Sequence, residues 1–179
     1  MHALTETMIR RSFVNCSRGE ATAMTLPRDL DDLAWDELEY LGWRDPKAPL
    51  RGYAVLWQDD QPLGIALRAA ETTLSSRRAA MCLLCQSTHR GGDVTLFTAR
   101  RAGPAGRNGN SVGQYVCDDL KCSQRIRTDI PPWLRSRDPE MVVAELAGEL
   151  LRCVHAFAGL VLAGHVPAGL AQPSVARAT

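Results

Sequence analysis

The chain predicts an α+β fold: antiparallel hairpins with a treble-clef-like zinc module and flanking helices. Three observations carry that prediction. Four cysteines fall in two pairs, Cys82 and Cys85 in MCLLC and Cys117 and Cys122 in VCDDLKC, a C-x2-C and a C-x4-C with thirty-one residues between them. Short β-rich runs flank polar or glycine-marked turns before and between the pairs. A long periodic apolar stripe near the C-terminus marks a helix. Paired thiolates at these spacings are the usual donors of a closed tetrahedral site, because two short turns can each present two sulfurs to one ion. One structural Zn(2+) is therefore expected, on Cys82, Cys85, Cys117 and Cys122.

Composition bounds the rest. The chain has 179 residues, 45% apolar and 23% charged, which suits one ordinary globular core and excludes a disordered chain. We expect a single zinc-containing domain over 1–165, with the zinc module at about 77–130, a C-terminal helix at about 139–163 and a disordered tail over 166–179. The start, MHALTETMIRRSF, lacks the basic-then-apolar pattern of a signal peptide, and paired cysteines in a reducing compartment more often bind metal than oxidise. A cytoplasmic location is expected, with no membrane partner, since the most apolar stretch carries Glu145, Glu149 and Arg152. Net charge is only +1, but its distribution is uneven. Residues 1–76 carry −4, residues 77–137 carry +7 and residues 138–179 carry −2. A basic island in an acidic chain points to an acidic partner.

The elements follow in order. TETMIRRSF reads as a first helix with Thr5 as cap and Glu6 in its first turn. VNCSRGEATAM breaks it, and Cys16 is expected as a packed thiol. LPRDLDDLAWDELEYLGW reads as a short helix or two helical turns, with the carboxylates on the wet face. After the turn RDPKAP, RGYAVLWQ and PLGIALRA flank DDQ as a hairpin. Tyr53, Val55 and Trp57 share one face of its first strand, and Leu63, Ile65 and Leu67 share one face of its second. VTLFTA and GQYV form a second hairpin inside the module. Their connection, RRAGPAGRNGNSVG, is glycine-rich, basic and expected to be a functional loop without secondary structure. DDLKCSQRIR looks helical, and IPPW stops it. Trp133 is expected as a packed anchor of the connection. The last helix starts at Asp138 or Pro139 with a stripe of Val143, Leu146, Leu150, Val154, Phe157 and Val161, in which Cys153 and His155 pack.

No enzyme is predicted. Four thiolates leave no open position for water on the metal, and no HxE, GxSxG or Walker A pattern occurs. His89 is expected at the surface. The functional question moves to the arginines Arg100, Arg101, Arg107, Arg125 and Arg127, whose guanidinium forks suit phosphates or carboxylates.

Beyond this residue-level reading, the chain resembles the family of the C-terminal treble-clef zinc finger of elongation-factor-G-binding proteins, which includes fusidic-acid resistance proteins. SFVNCSRGEA, LPRDLDDLAWDELEYLGWRDPKAP, MCLLCQSTHRGGDVTLF and ARRAGPAGRNGNSVGQYVCDDLKCS carry the likeness, over roughly residues 8–160, and it looks closest to the small stand-alone actinobacterial members. The resemblance implies a zinc-holding domain, with Cys82, Cys85, Cys117 and Cys122 as ligands, that binds translation elongation factor G. Only a short helical lead-in stands where the resistance proteins carry a separate helical bundle. Two binding functions are therefore expected to compete, ahead of the weaker class of an enzyme built around His89 and the acidic N-terminal segment. The first is binding to elongation factor G or the ribosome through the basic module. The second is direct RNA or DNA binding through the same arginines.

Overall fold

The computed structural model describes residues 1–72, 74–75 and 79–163. The alternating runs become strands: β1 (Leu41–Asp45), β2 (Ala48–Gln58), β3 (Gln61–Ala69), β4 (Ala79–Met81), β5 (Thr88–Arg90), β6 (Val94–Arg100) and β7 (Ser111–Cys117). Five of them form one antiparallel sheet in the order β1-β2-β3-β6-β7, and β4 pairs with β5. The helices are α1 (Glu6–Ser12), α2 (Arg18–Ala23), α3 (Gly103–Arg107), α4 (Cys122–Thr128) and α5 (Pro139–Leu162). The α+β prediction therefore holds, as do both hairpins. Asp59 and Asp60 turn the first hairpin with positive φ angles of 49° and 58°. Such angles suit a tight two-residue hairpin turn, in which Asp is tolerated.

Because side chains alternate across a strand, the sheet has two chemically distinct faces. On one, Ala54, Leu56, Ile65, Leu67, Phe97 and Ala99 pack with Leu150, Val154, Phe157 and Val161 of α5 and with the four paired cysteines. On the other, Trp43, Tyr53 and Val55 pack with Leu4, Ile9, Ala21 and Met24 of the N-terminal segment. That second layer covers only part of its face.

β3 and β6 pair at just two positions, Arg68 with Thr98 and Ala69 with Phe97, and then diverge. Residues 13–15 enter the gap. Phe13 bridges Gly64 in parallel, and Val14 N donates to Gly64 O at 3.0 Å. Asn15 then stitches both strands: its Nδ2 donates to Ala66 O at 2.9 Å and to Arg100 O at 3.0 Å, while its Oδ1 accepts from Ala66 N at 2.8 Å. Gly64 is required for this approach, since a Cβ there would collide with Ser12 Oγ.

Several elements differ from expectation. α1 is capped by Thr5 as foreseen, but the supposed break after it holds α2, opened by a capping box in which Ser17 and Glu20 satisfy each other's backbone amides. The acidic segment makes the second of its two expected alternatives, two helical turns, both 3-10, at Leu30–Asp32 and Trp35–Glu37. The chain then becomes β1, because Leu41 and Trp43 face the core two residues apart, a strand spacing. The basic connection is not structureless. It contains α3, with Gly103 and Gly109 at φ 67° and 87°, and Ala102 N anchors it to Val161 O at 2.8 Å. Trp133 is corrected too: it is 76% exposed, carried outward on a 3-10 turn that Leu134 N closes on Pro131 O. In α5 the first buried residue is Val142, while Val143 is half-buried. The expected tail over 166–179 and the arginines Arg77 and Arg78 lie outside the described residues. Among the described residues no helix is long and apolar enough to cross a membrane.

Candidate metal centre and basic cleft

Two turns build the cysteine cluster. In the first, between β4 and β5, Cys82 N donates to Ser87 O at 3.0 Å and Gln86 N donates to Cys82 O at 2.9 Å, with Gln86 left-handed at φ 57°. In the second, Leu120 adopts φ 61° and its N–H donates to Cys117 O at 3.0 Å, so that Cys122 arrives as the first residue of α4. Leu120 O accepts the buried Tyr40 hydroxyl at 2.8 Å, which locks this turn to the segment before β1. Ser123 of α4 reinforces the lock by accepting from Tyr40 N and donating to Tyr40 O.

The four sulfurs converge. All lie within 4.8 Å of one another, with Cys82 Sγ 3.7 Å from Cys122 Sγ and Cys85 Sγ 3.6 Å from Cys117 Sγ. A tetrahedron with metal–sulfur bonds of about 2.3 Å has sulfur edges of about 3.8 Å, so the buried set fits one zinc ion. Two nitrogens approach it: Cys117 N donates to Cys82 Sγ at 3.3 Å, and His89 Nε2 lies 3.8 Å from Cys117 Sγ. The thiols are too close to ionise independently. Hydrogen bonds from Cys117 and Cys122 hold Cys85 far below the ordinary thiol range, and hydrogen bonding to Cys117 and Cys82 drives Cys122 far above it. Burial and the neighbouring Cys122 push Tyr40 well up. A divalent cation replaces the shared protons of such a set and turns its crowding into cohesion.

The five arginines singled out in the sequence separate into two groups. Arg125 donates to Asp119 at 2.8 Å, and Arg127 donates to both oxygens of Glu39, at 2.8 and 3.0 Å, and to Ser123 O. Both are internal braces of α4. Arg100, Arg101 and Arg107 instead line a cleft beside the wedge of residues 13–15, made of two adjoining hollows of about 350 and 330 Å³ that share Asn15, Cys16, Glu20 and Arg100. Arg51 and Arg68 line the same cleft. Among the described residues, no ion pair holds Arg51, Arg100, Arg101 or Arg107. The sequence reading missed Arg51 and Arg68. Their signal was the period-2 pattern of β2 and β3, but only the pairing register shows that they stand side by side. Cys16, half-buried on the cleft wall, has its pKa raised to about 11 by burial and by Glu20, so it is a protonated packing thiol as expected.

No curated protein matches the chain. Among solved structures, it is similar to that of the fusidic acid resistance protein FusC, with a TM-score of 0.51 and 20% identity over 69% of this chain and 53% of that one. The chain thus spans about half the length of that protein, and at this identity the likeness is one of fold. The family model of the FBP C-terminal treble-clef zinc-finger matches residues 8–161, from α1 to the end of α5, with both cysteine turns inside the match. A zinc-finger binding domain accords with a non-enzymatic chain. From the residues matched and the buried four-cysteine cluster they enclose, the chain belongs to the FBP C-terminal treble-clef zinc-finger family.

Proposed function

We propose that this is a zinc-stabilised cytoplasmic binding protein, a single domain over 1–165, that acts on translation elongation factor G or on the ribosome. Cys82, Cys85, Cys117 and Cys122 hold one zinc, which supplies a closed, rigid node and no reaction centre. The observation that carries the reading is the placement of Arg100, Arg101 and Arg107. They sit at the far end of a hairpin whose base is the second cysteine turn, and among the described residues no ion pair holds them. Guanidinium groups held on a braced hairpin lose little freedom on meeting an acidic surface. Arg125 and Arg127 serve this face indirectly, by fixing α4 and with it the cysteine turn.

The test uses the zinc-loaded chain with purified elongation factor G and, separately, with ribosomes in a sedimentation assay at low salt. The wild type is expected to bind one of them, and the R100E/R101E/R107E variant is expected to lose at least tenfold in affinity while keeping its zinc. Absence of binding to both in the wild type sinks the proposal.

A further inference from the structure

The half of the sheet left uncovered by the N-terminal layer is not a featureless surface. Register places Arg51 opposite Arg68, Arg68 opposite Thr98, and Thr98 opposite Gly113, so these four form one cross-strand row on one face. Arg100 and Ser111 form the next row toward α3, and Leu96 and Tyr115 the next in the other direction. Gly113 verifies the face: a Cβ built there would stand 3.4 Å from both Leu96 Cδ1 and Thr98 Cγ2. Arg51, Arg68, Arg100, Ser111 and Gly113 are exposed, and Tyr115 is 39% exposed. The sheet therefore presents Arg100 with Ser111, then Arg51 and Arg68 with the bare Gly113, then Tyr115, in successive rows about 7 Å apart. One nucleotide of an extended strand covers a similar step.

We propose that this open half-sheet binds a single-stranded polynucleotide, with Arg51, Arg68 and Arg100 on its phosphates and Tyr115 as a stacking platform for a base. The chemistry favours a phosphate polymer over an acidic protein. Protein interfaces centre on clusters of large apolar anchors, yet of the exposed large apolar side chains among the described residues Tyr115 alone stands in these rows. Backbone-tracking arginines next to an aromatic platform are the working parts of single-strand binding surfaces. The internal competitors are weak. Arg68 meets Glu71 at 3.4 Å with both side chains at least 70% exposed, a pair that water and salt exchange readily. The Glu20 carboxylate in the cleft accepts from Ser17 N at 2.8 Å and feels the charges of Arg100 and Arg51 without forming an ion pair with either. Ser111 adds a hydroxyl beside Arg100, within reach of a sugar. The site goes beyond the factor-binding reading and shares only Arg100 with it.

The experiment measures anisotropy of a labelled twelve-nucleotide oligouridylate and, in parallel, oligothymidylate, against the zinc-loaded full chain from low to high salt. Binding of either supports the proposal, and preference for the uridylate names the ribose hydroxyl as part of what is read. Three phosphate contacts predict a log–log salt slope of about −2. R51E/R68E is expected to lose at least tenfold in affinity and to flatten the slope. Y115A is expected to lose about tenfold with the slope retained, and Y115F to bind as wild type. Zinc content and a thermal melt confirm folding, and R51Q/R68Q replaces the charge reversal if that variant fails to fold. No binding at low salt overturns the proposal, as does wild-type affinity in both R51E/R68E and Y115A, or equal competition by polyglutamate. Failure to bind elongation factor G or ribosomes bears on the earlier reading alone, because neither Arg51, Arg68 nor Tyr115 belongs to it.

Discussion

Asp45 closes the turn between β1 and β2, accepting from Lys47 N at 2.9 Å and from Thr25 N at 3.0 Å. Burial opposes its ionisation, but the amides of Thr25, Lys47 and Ala48 outweigh that and hold its pKa below the ordinary 3.8. A depressed folded value means that its contribution to stability is complete above the ordinary value and is lost as pH falls through the lower folded one. Urea unfolding of the wild type and of Asp45→Asn should therefore differ by about 1–2 kcal/mol at neutral pH and converge in acid. A difference that persists unchanged in acid would contradict this role. Asp45 stood in the sequence as a residue of the RDPKAP turn, but its partner Thr25, twenty residues earlier, became apparent only with the fold. By contrast the four cysteine ligands were legible at once, because metal-binding spacing is a short-range property that a linear chain displays directly. Arg125 and Arg127 show the opposite case. Their charge was legible, but their partners Asp119 and Glu39 became apparent only with the fold, since Glu39 is 88 residues from Arg127.

Elements depend on contacts of intermediate range. Hairpins and α5 were legible because period-2 and period-3.6 patterns state which face is buried. β1 was not, because its five residues adjoin an acidic stretch with partial helical spacing, and its identity comes from pairing with β2. The wedge of residues 13–15 is the element that shapes the cleft, and Asn15 carries it. Its amide replaces ladder hydrogen bonds that β3 and β6 cannot give each other once they diverge. Asn15→Ala should cost about 2 kcal/mol in chemical denaturation, since it leaves backbone groups of both strands without partners. Asn15→Asp is expected to be destabilising as well, because a carboxylate cannot donate to Ala66 O and Arg100 O. If both substitutions were neutral, water would have to fill the role of the amide.

At the scale of the whole molecule, one node joins both sides of the sheet's helical face. The first cysteine turn lies between β4 and β5, the second links β7 to α4, and α5 packs over the cluster. Structural zinc contributes about 10–16 kcal/mol of folding free energy in small zinc-finger peptides, more than a typical domain's net stability. Chelation at neutral pH should therefore release amide-exchange protection across β6, β7 and α4 together and abolish partner binding in the same titration. Cys122→Ser should do so without chelator. Retention of native protection in the metal-free chain would remove the ion from any structural role. The +7 island around this node was legible as an electrostatic fact about residues 77–137. Which of its arginines would be braces and which would face outward was not, because direction is set by register and packing between segments tens of residues apart.

The N-terminal wedge also has a bearing on how the chain acquires its fold during synthesis. Residues 13–15 emerge from the ribosome early, yet the groups they join, Ala66 and Arg100, follow 51 and 85 residues later. The apolar layer around Ile9 and Phe13 draws only on residues up to Ala66, but the sheet cannot close around Asn15 until β6 has been made. Contacts of such long range slow folding and prolong the exposure of apolar surface. Closure of β6 against Asn15 should thus be the last slow phase of refolding.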